Sequence, residues 1–164
     1  MIILGMDPGL AISGYGIIEY VGNKFSLIEY GAVTTDSKMP FPERLEHIYY
    51  SYMDMLKKYK PDAISIEELF YNKNAKTAIA VGQARGIHVL AGQLNNIPMY
   101  EYTPLQIKQG VVGYGRAEKK QVQEMVRVFL NMKKIAQPDD AADGLAAAIT
   151  HANCLRVCED FRIK

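Results

Sequence analysis

The order in which hydrophobic periodicities occur along the chain constrains its fold more than any other feature. Residues 1–35 read as three consecutive strands. Met1–Asp7 is a short apolar run stopped by Pro8–Gly9, and Ser13–Val21 is a second run. Gly22–Asn23 is a two-residue hairpin signal, from which Lys24–Thr35 returns as a third strand. Beyond residue 40 the period changes. Leu45, Ile48, Tyr49, Tyr52, Leu56 and Tyr59 recur at helical spacing behind Pro42 and Glu43, and Pro61 ends that helix. Asp62–Glu67 then reads as a strand, Ala75–Leu94 as a helix and Pro98–Tyr102 as a fifth strand. Thr103–Pro104 caps a short helix, and Gly110, Gly113 and Gly115 predict a flexible loop. Val122, Met125, Val126, Phe129 and Leu130 form one apolar stripe on a helix over Glu118–Met132. An alanine-rich helix from Asp139 to about Cys158 comes last. A meander followed by alternating helices and strands predicts an α/β fold, with a five-stranded mixed sheet flanked by helices.

The size and composition suit one domain over residues 1–164. With 49% hydrophobic and 23% charged residues, the chain has a globular profile. Its apolar runs fall far below the roughly 18 residues that a membrane span needs. The start MIILGMDPG lacks the basic residues and small-residue cleavage site of a secretory signal. The expectation is a cytoplasmic protein without membrane contact. Cys154 and Cys158 have no second pair or Cys/His cluster beside them, so they read as reduced, packed thiols rather than zinc ligands. A net charge of +1 hides an asymmetry. Residues 1–70 carry ten acids and six bases, whereas residues 71–164 carry thirteen bases and eight acids. The bases Lys73, Lys76 and Arg85 lie in one acid-free stretch, and Lys108, Arg116, Lys119 and Lys120 in another basic one. Such stretches suit either a phosphate track or solvated helix faces.

Three places combine an acid with a backbone suited to a site. Asp7 ends the first strand, Glu67 ends the fourth beside Glu68, and Asp139, Asp140 and Asp143 open the last helix. Acids in a first turn also complement the helix dipole, and Asp139 has the chemistry of an N-cap. Asp140 and Asp143, three apart, share a helix face. Spacing alone leaves Glu67 against Glu68, and Asp140 against Asp139, undecided. Four converging carboxylates stay ionised only beside cations, and oxygen donors select Mg²⁺ or Mn²⁺. Two such ions can assist phosphodiester cleavage. His47, His88 and His151 have no partner in the pattern and read as structural or surface residues. His151, eight positions beyond Asp143, lies about 12 Å along the helix, too far to share a ligand set.

At these residues the chain resembles the RuvC family of bacterial Holliday junction resolvases. The resemblance covers Ile2 to about His151 and is carried by ILGMDPGLAISGYG, AISIEELFYNKNAKTAIAVGQARG, YTPLQIKQGVVGYGRAEKKQV and DDAADGLAAAITH. A lone DxGxxxxG would be weak, since actin-like ATPases share it, but those proteins need a second copy of the fold. The resemblance implies a ribonuclease H-like fold and Mg²⁺-dependent, paired nicking of two strands of a four-way junction. It implies two Mg²⁺ ions, with Mn²⁺ able to substitute, held by Asp7, Glu67, Asp140 and Asp143. The family's IEE and DAAD motifs decide the two ambiguous pairs. It further implies that Phe70 stacks on a base near the crossover, although a phenylalanine after a strand is equally a core residue. Lys108 and Lys119 match lysines that contact junction phosphates, and Lys73, Lys76, Arg85, Arg116 and Lys120 are weaker DNA-binding candidates. Gly82-x-x-x-Gly86 on the second helix resembles the family's homodimer interface, with Ile79 and Val89 to pack beside it. The RuvA and RuvB branch-migration proteins are the further partners implied. Some members carry a longer basic tail, where this chain has the mixed segment CEDFRIK.

Two rival readings are a nuclease of the same superfamily acting on structured RNA, and a junction-binding protein without catalysis. The first would share the carboxylates without needing Phe70 or a twofold dimer. The intact set of four acids opposes the second.

Overall fold

The computed structural model describes residues 1–69 and 75–163. Three N-terminal strands, β1 (Ile2–Asp7), β2 (Ile12–Val21) and β3 (Lys24–Thr34), form the expected meander. Gly22 and Asn23 take the positive φ values, 55° and 63°, that their tight turn requires. Helix α1 (Phe41–Tyr59), strand β4 (Ala63–Glu67), helix α2 (Ala75–Leu94) and strand β5 (Met99–Tyr102) follow. The remaining helices are α3 (Pro104–Val112), α4 (Lys119–Phe129) and α5 (Asp139–Asn153), before a short 3₁₀ turn at Cys158–Phe161.

The sheet runs β3-β2-β1-β4-β5. β1 pairs antiparallel with β2 and parallel with β4, and β4 pairs parallel with β5. The fold class is therefore as the sequence predicts. Helices cover both faces, so inward and outward residues of the central strands are equally apolar. Leu4, Met6, Ile17, Ile64 and Ile66 pack with Tyr52 and Leu56 of α1 and Ala91 of α2. Ile3, Ile18 and Ala63 pack on the opposite face with Ala142, Leu145, Ala146 and Ile149 of α5 and Val122 and Val126 of α4.

Helix α5 lies unusually close to the sheet. A Cβ on Gly14 would collide with the carbonyl of Asp140, and a Cβ on Gly144 would stand 2.7 Å from Tyr15 Cα. Ser65 Oγ, fully buried, donates to the carbonyl of Ala147 at 2.8 Å and pins the helix to β4. Two expectations need correction. Gly110 belongs to α3, where it passes against Thr150, and only Gly113 (φ 91°) ends that helix. The last helix stops at Asn153, five residues short of Cys158, and a 3₁₀ turn takes over. The segment beyond it runs beside β5, with Ile163 N donating to Met99 O at 2.9 Å. Among the described residues, no helix is long and apolar enough to cross a membrane.

Candidate active site

Strand parity brings the first two acids together. Ile3, Gly5 and Asp7 face α5, as do Ala63, Ser65 and Glu67 of the neighbouring strand. Met6 pairs with Ile66, so Asp7 and Glu67 are neighbours at the carboxyl ends of two parallel strands. Glu68 falls one step later and is exposed. Asp143, from the first turns of α5, completes a cavity of about 290 Å³ with Asp7 and Glu67. Lys108 and Lys119 border it, and Pro104, Ile107 and Val122 supply its apolar wall.

Asp140 stands at the edge of this group. Its carbonyl lies over Gly14, the cross-strand partner of Asp7, while the residue itself lines a different cavity with Arg44. Asp140 is still near enough to Asp7 for its charge to raise the Asp7 carboxyl, as Asp143 does from the other cavity. Asp139 is not the N-cap, since Pro138 takes that position without a side-chain hydrogen bond. Asp139 is exposed and lies 3.8 Å from Lys119 Nζ, which makes its closer contact with Asp143 Oδ2 at 2.8 Å.

The electrostatics show how crowded the acids are. Burial, then the charges of Glu67, Asp143 and Asp140, push the Asp7 carboxyl up to about 8. Burial and then Asp143 push Glu67 up to about 7, against the opposing pull of Lys119 and Lys108. Burial also raises Asp143, although its hydrogen bond from Lys119 works the other way. Partial desolvation works against the Lys119 ammonium, but its contacts with Asp143, Asp139 and Asp140 outweigh this and hold it protonated. The two lysines, Lys108 and Lys119, do not balance the four acids of this cluster. A hard divalent cation fits the all-oxygen donor set and its charge deficit. As the side chains stand, no three described His, Cys, Asp or Glu residues already converge as a ligand set.

The DNA-binding candidates divide by environment. Lys108 and Lys119 sit at the cavity, and Arg116 and Lys120 are exposed on the segment leading into α4. Arg85 pairs with Glu101 at 2.6 Å on the opposite face of the sheet. Phe70 and Lys73 lie outside the described residues, as does the side chain of Lys76. His88 and His151 are buried, His151 with Nδ1 2.9 Å from Tyr102 Oη, and His47 is exposed. On α2, Ala84, His88 and Ala91 face the sheet, while Ile79, Leu90 and Leu94 are exposed on the same side as Gly86. Val89 packs toward the core, so Leu90 and Leu94 take the place expected for it beside Gly82 and Gly86. Arg44 and the turn after β1 were not among the sequence candidates. No charge run or motif draws attention to them; only the tertiary fold brings them beside Asp140.

An acidic cavity at strand ends, bordered by lysines on this mixed sheet, defines the class as that of the ribonuclease H-like nucleases. The comparisons with known proteins narrow it. The family model described as Crossover junction endodeoxyribonuclease RuvC matches residues 3–151, and the chain belongs to that family. It is 60% identical to the Crossover junction endodeoxyribonuclease RuvC of Clostridioides difficile over 153 residues, covering 93% of this chain and 90% of the relative. The protein of the same name from Alkaliphilus oremlandii is 57% identical, with both chains fully covered. Among solved structures, Thermus thermophilus RuvC in complex with Holliday junction substrate superposes with a TM-score of 0.91 at 31% identity. That match covers 99% of this chain and all of the other.

Proposed function

We propose that the chain resolves Holliday junctions in recombination and repair, cutting two strands at symmetric positions and leaving 5′-phosphate and 3′-hydroxyl ends. The observation that carries this is the single cavity uniting Asp7, Glu67 and Asp143 with Lys108 and Lys119, in a chain of this family. Asp7, Glu67, Asp140 and Asp143 are the oxygen donors for a divalent metal. They would hold Mg²⁺, two ions per site, or Mn²⁺ in its place, and metal bound there would supply Lewis-acid charge stabilisation for phosphodiester hydrolysis. Lys108 and Lys119 draw the phosphate into the cavity, and the apolar wall of Pro104, Ile107 and Val122 keeps bulk water away so that each charge acts strongly.

Residues 1–164 serve as one nuclease domain, and two copies act together. One site cuts one phosphodiester, so resolution needs two sites held in matching orientation, which a twofold homodimer supplies. The exposed face of α2 at Ile79, Gly86, Leu90 and Leu94 is the contact surface. Phe70 stacks at the crossover, and Arg116 and Lys120, with Lys73 and Lys76, carry the junction arms. RuvA and RuvB are the partners that bring the junction, in the cytoplasm.

A synthetic four-way junction and a linear duplex of the same sequence, each with Mg²⁺ or with EDTA, test the proposal. Paired nicks in the junction alone, and only with metal, are expected. Equal cutting of structured RNA, or tight junction binding without any nick, would hand the case to one of the two rivals.

A further inference from the structure

A second cavity, of about 530 Å³, opens on the far side of Asp140. Leu10 of the turn between β1 and β2 and Ile12 at the start of β2 form one wall, and Ala80 and Val81 of α2 form another. Arg44 of α1 and Asp140 of α5 are its charged residues. The turn is built in advance rather than left loose. Thr35 donates its hydroxyl to Leu10 O at 2.6 Å and its N–H to Ala11 O at 3.0 Å. Ser13 Oγ donates to Gly9 O at 2.9 Å. Arg44 Nε in turn donates to Thr35 Oγ1 at 2.7 Å. Among the described residues this is Arg44's one side-chain hydrogen bond, and no carboxylate pairs with it. Its guanidinium is thus held in place by one nitrogen, with the other two left for a ligand.

The groove and the catalytic cavity adjoin. Asp140 borders the groove while its backbone covers Gly14, the cross-strand partner of Asp7. A DNA strand with its reacting phosphate at Asp7, Glu67 and Asp143 must leave the site in two directions. Arg116 and Lys120, exposed on the segment leading into α4, lie toward one of them. We propose that the groove receives the other: it binds a nucleotide of the cleaved strand next to the scissile phosphate, its base against Leu10, Ile12 and Val81 and a phosphate on Arg44. An apolar wall beside one fixed guanidinium matches a base joined to a phosphate. This rests on the junction-cutting reading and adds to it a determinant of where the cut falls.

The test uses the full chain carrying Asp7→Asn, which binds without cutting, and a synthetic four-way junction titrated over a range of salt concentrations. Arg44→Gln should lower the slope of log K against log[salt] by about 0.9, the value of one phosphate contact, and Arg44→Lys should restore it. Ala80→Leu fills the groove without touching charge or the Thr35–Arg44 bonds, so it decides the matter should Arg44→Gln loosen the turn. It should leave the slope unchanged and weaken binding roughly tenfold. In otherwise wild-type protein it should shift the distribution of cut positions along a branch-migrating junction. An unchanged slope in Arg44→Gln, or wild-type affinity and cut positions in Ala80→Leu, would overturn the groove while junction cutting stands. The same losses measured with a single-stranded oligonucleotide titrated in parallel, from a protein that without Asp7→Asn never cuts junctions, would keep the groove and sink the junction reading instead.

Discussion

Replacing Asp7 with asparagine should produce a dead enzyme that is more stable than the wild type once metal is removed. The Asp7 carboxyl is held at about 8 against 3.8 in an open chain, first by burial and then by the charges of Glu67, Asp143 and Asp140. Because the folded value lies above the unfolded one, the ionised acid opposes folding. That cost is absent below pH 3.8, grows as pH rises and is complete above about 8. At pH 7 the difference is worth roughly 4 kcal/mol. Glu67 shares part of the same repulsion, so the two costs do not simply add. Asparagine keeps the shape, removes the charge and leaves an amide that needs partners, so a net gain of about 2–3 kcal/mol is expected. For a chain of this length that raises Tm by roughly 4–12 °C. Thermal unfolding in EDTA at pH 7.5 would measure it, and the gap between the two proteins should narrow toward pH 4. Millimolar Mg²⁺ should then stabilise the wild type more than the variant. A variant no more stable than wild type in EDTA, or a gap that widens on acidification, would refute the reasoning that the site is a charge deficit awaiting a cation.

His88 and His151 should act with the opposite sign, since burial lowers each to about 4, with Arg85 assisting at His88. Their contribution is complete above about pH 6.5 and is lost as pH falls toward 4, so His88→Phe should remove about 2 kcal/mol of the stability loss between pH 7 and 5 in urea titrations. Glu67→Gln, Asp140→Asn and Asp143→Asn should each abolish junction cutting with binding retained, whereas Glu68→Gln and Asp139→Asn should cut normally in a gel assay. Gly144→Ala should cost on the order of 1–3 kcal/mol of unfolding free energy in urea titrations, because its Cβ meets the Tyr15 backbone. Gly86, with open space around it, should accept leucine in the monomer, but Gly86→Leu should shift sedimentation toward monomer and lower paired cutting.

How much of this was legible beforehand follows from which faces carry a signal. The meander, the alternation and the capping of α3 at Thr103 are written in local chemistry, and Thr103 Oγ1 does accept from Gln106 N at 3.2 Å. The choice between Glu67 and Glu68 depends on which side of β4 faces α5. Both sides are covered, so Ala63, Ile64, Ser65 and Ile66 are all buried and the run shows no inside and outside. The rotational setting of α2 was hidden for a related reason. Its many small residues pack either way, so Val89 and Leu90 could not be told apart as inward and outward. The Lys119–Asp143 contact joins residues 24 apart through the docking of α4 on α5, and no local pattern encodes it.

The same packing explains both the position of the acids and their charge. Gly5, Gly14 and Gly144 let α5 approach the sheet more closely than side chains would allow. That approach carries Asp143 to the ends of β1 and β4 and strips water from Asp7 and Glu67. A looser helix would relieve the repulsion but would also spread the oxygen donors apart. The glycines are therefore electrostatic residues at one remove, positioning the acids without touching substrate. Enlarging any of them should lower the Asp7 and Glu67 values toward those of open carboxylates and weaken metal binding in the same proportion. Gly5, two residues before Asp7 on β1 and pressed against Gly144 and Ala148, offers the most demanding case. In any Gly5→Ala protein that still folds, carboxyl titration by NMR should show Asp7 falling. An Asp7 value left near 8 in a protein whose α5 had moved outward would mean that burial among the strand ends and the charge of Glu67, not the approach of α5, set it.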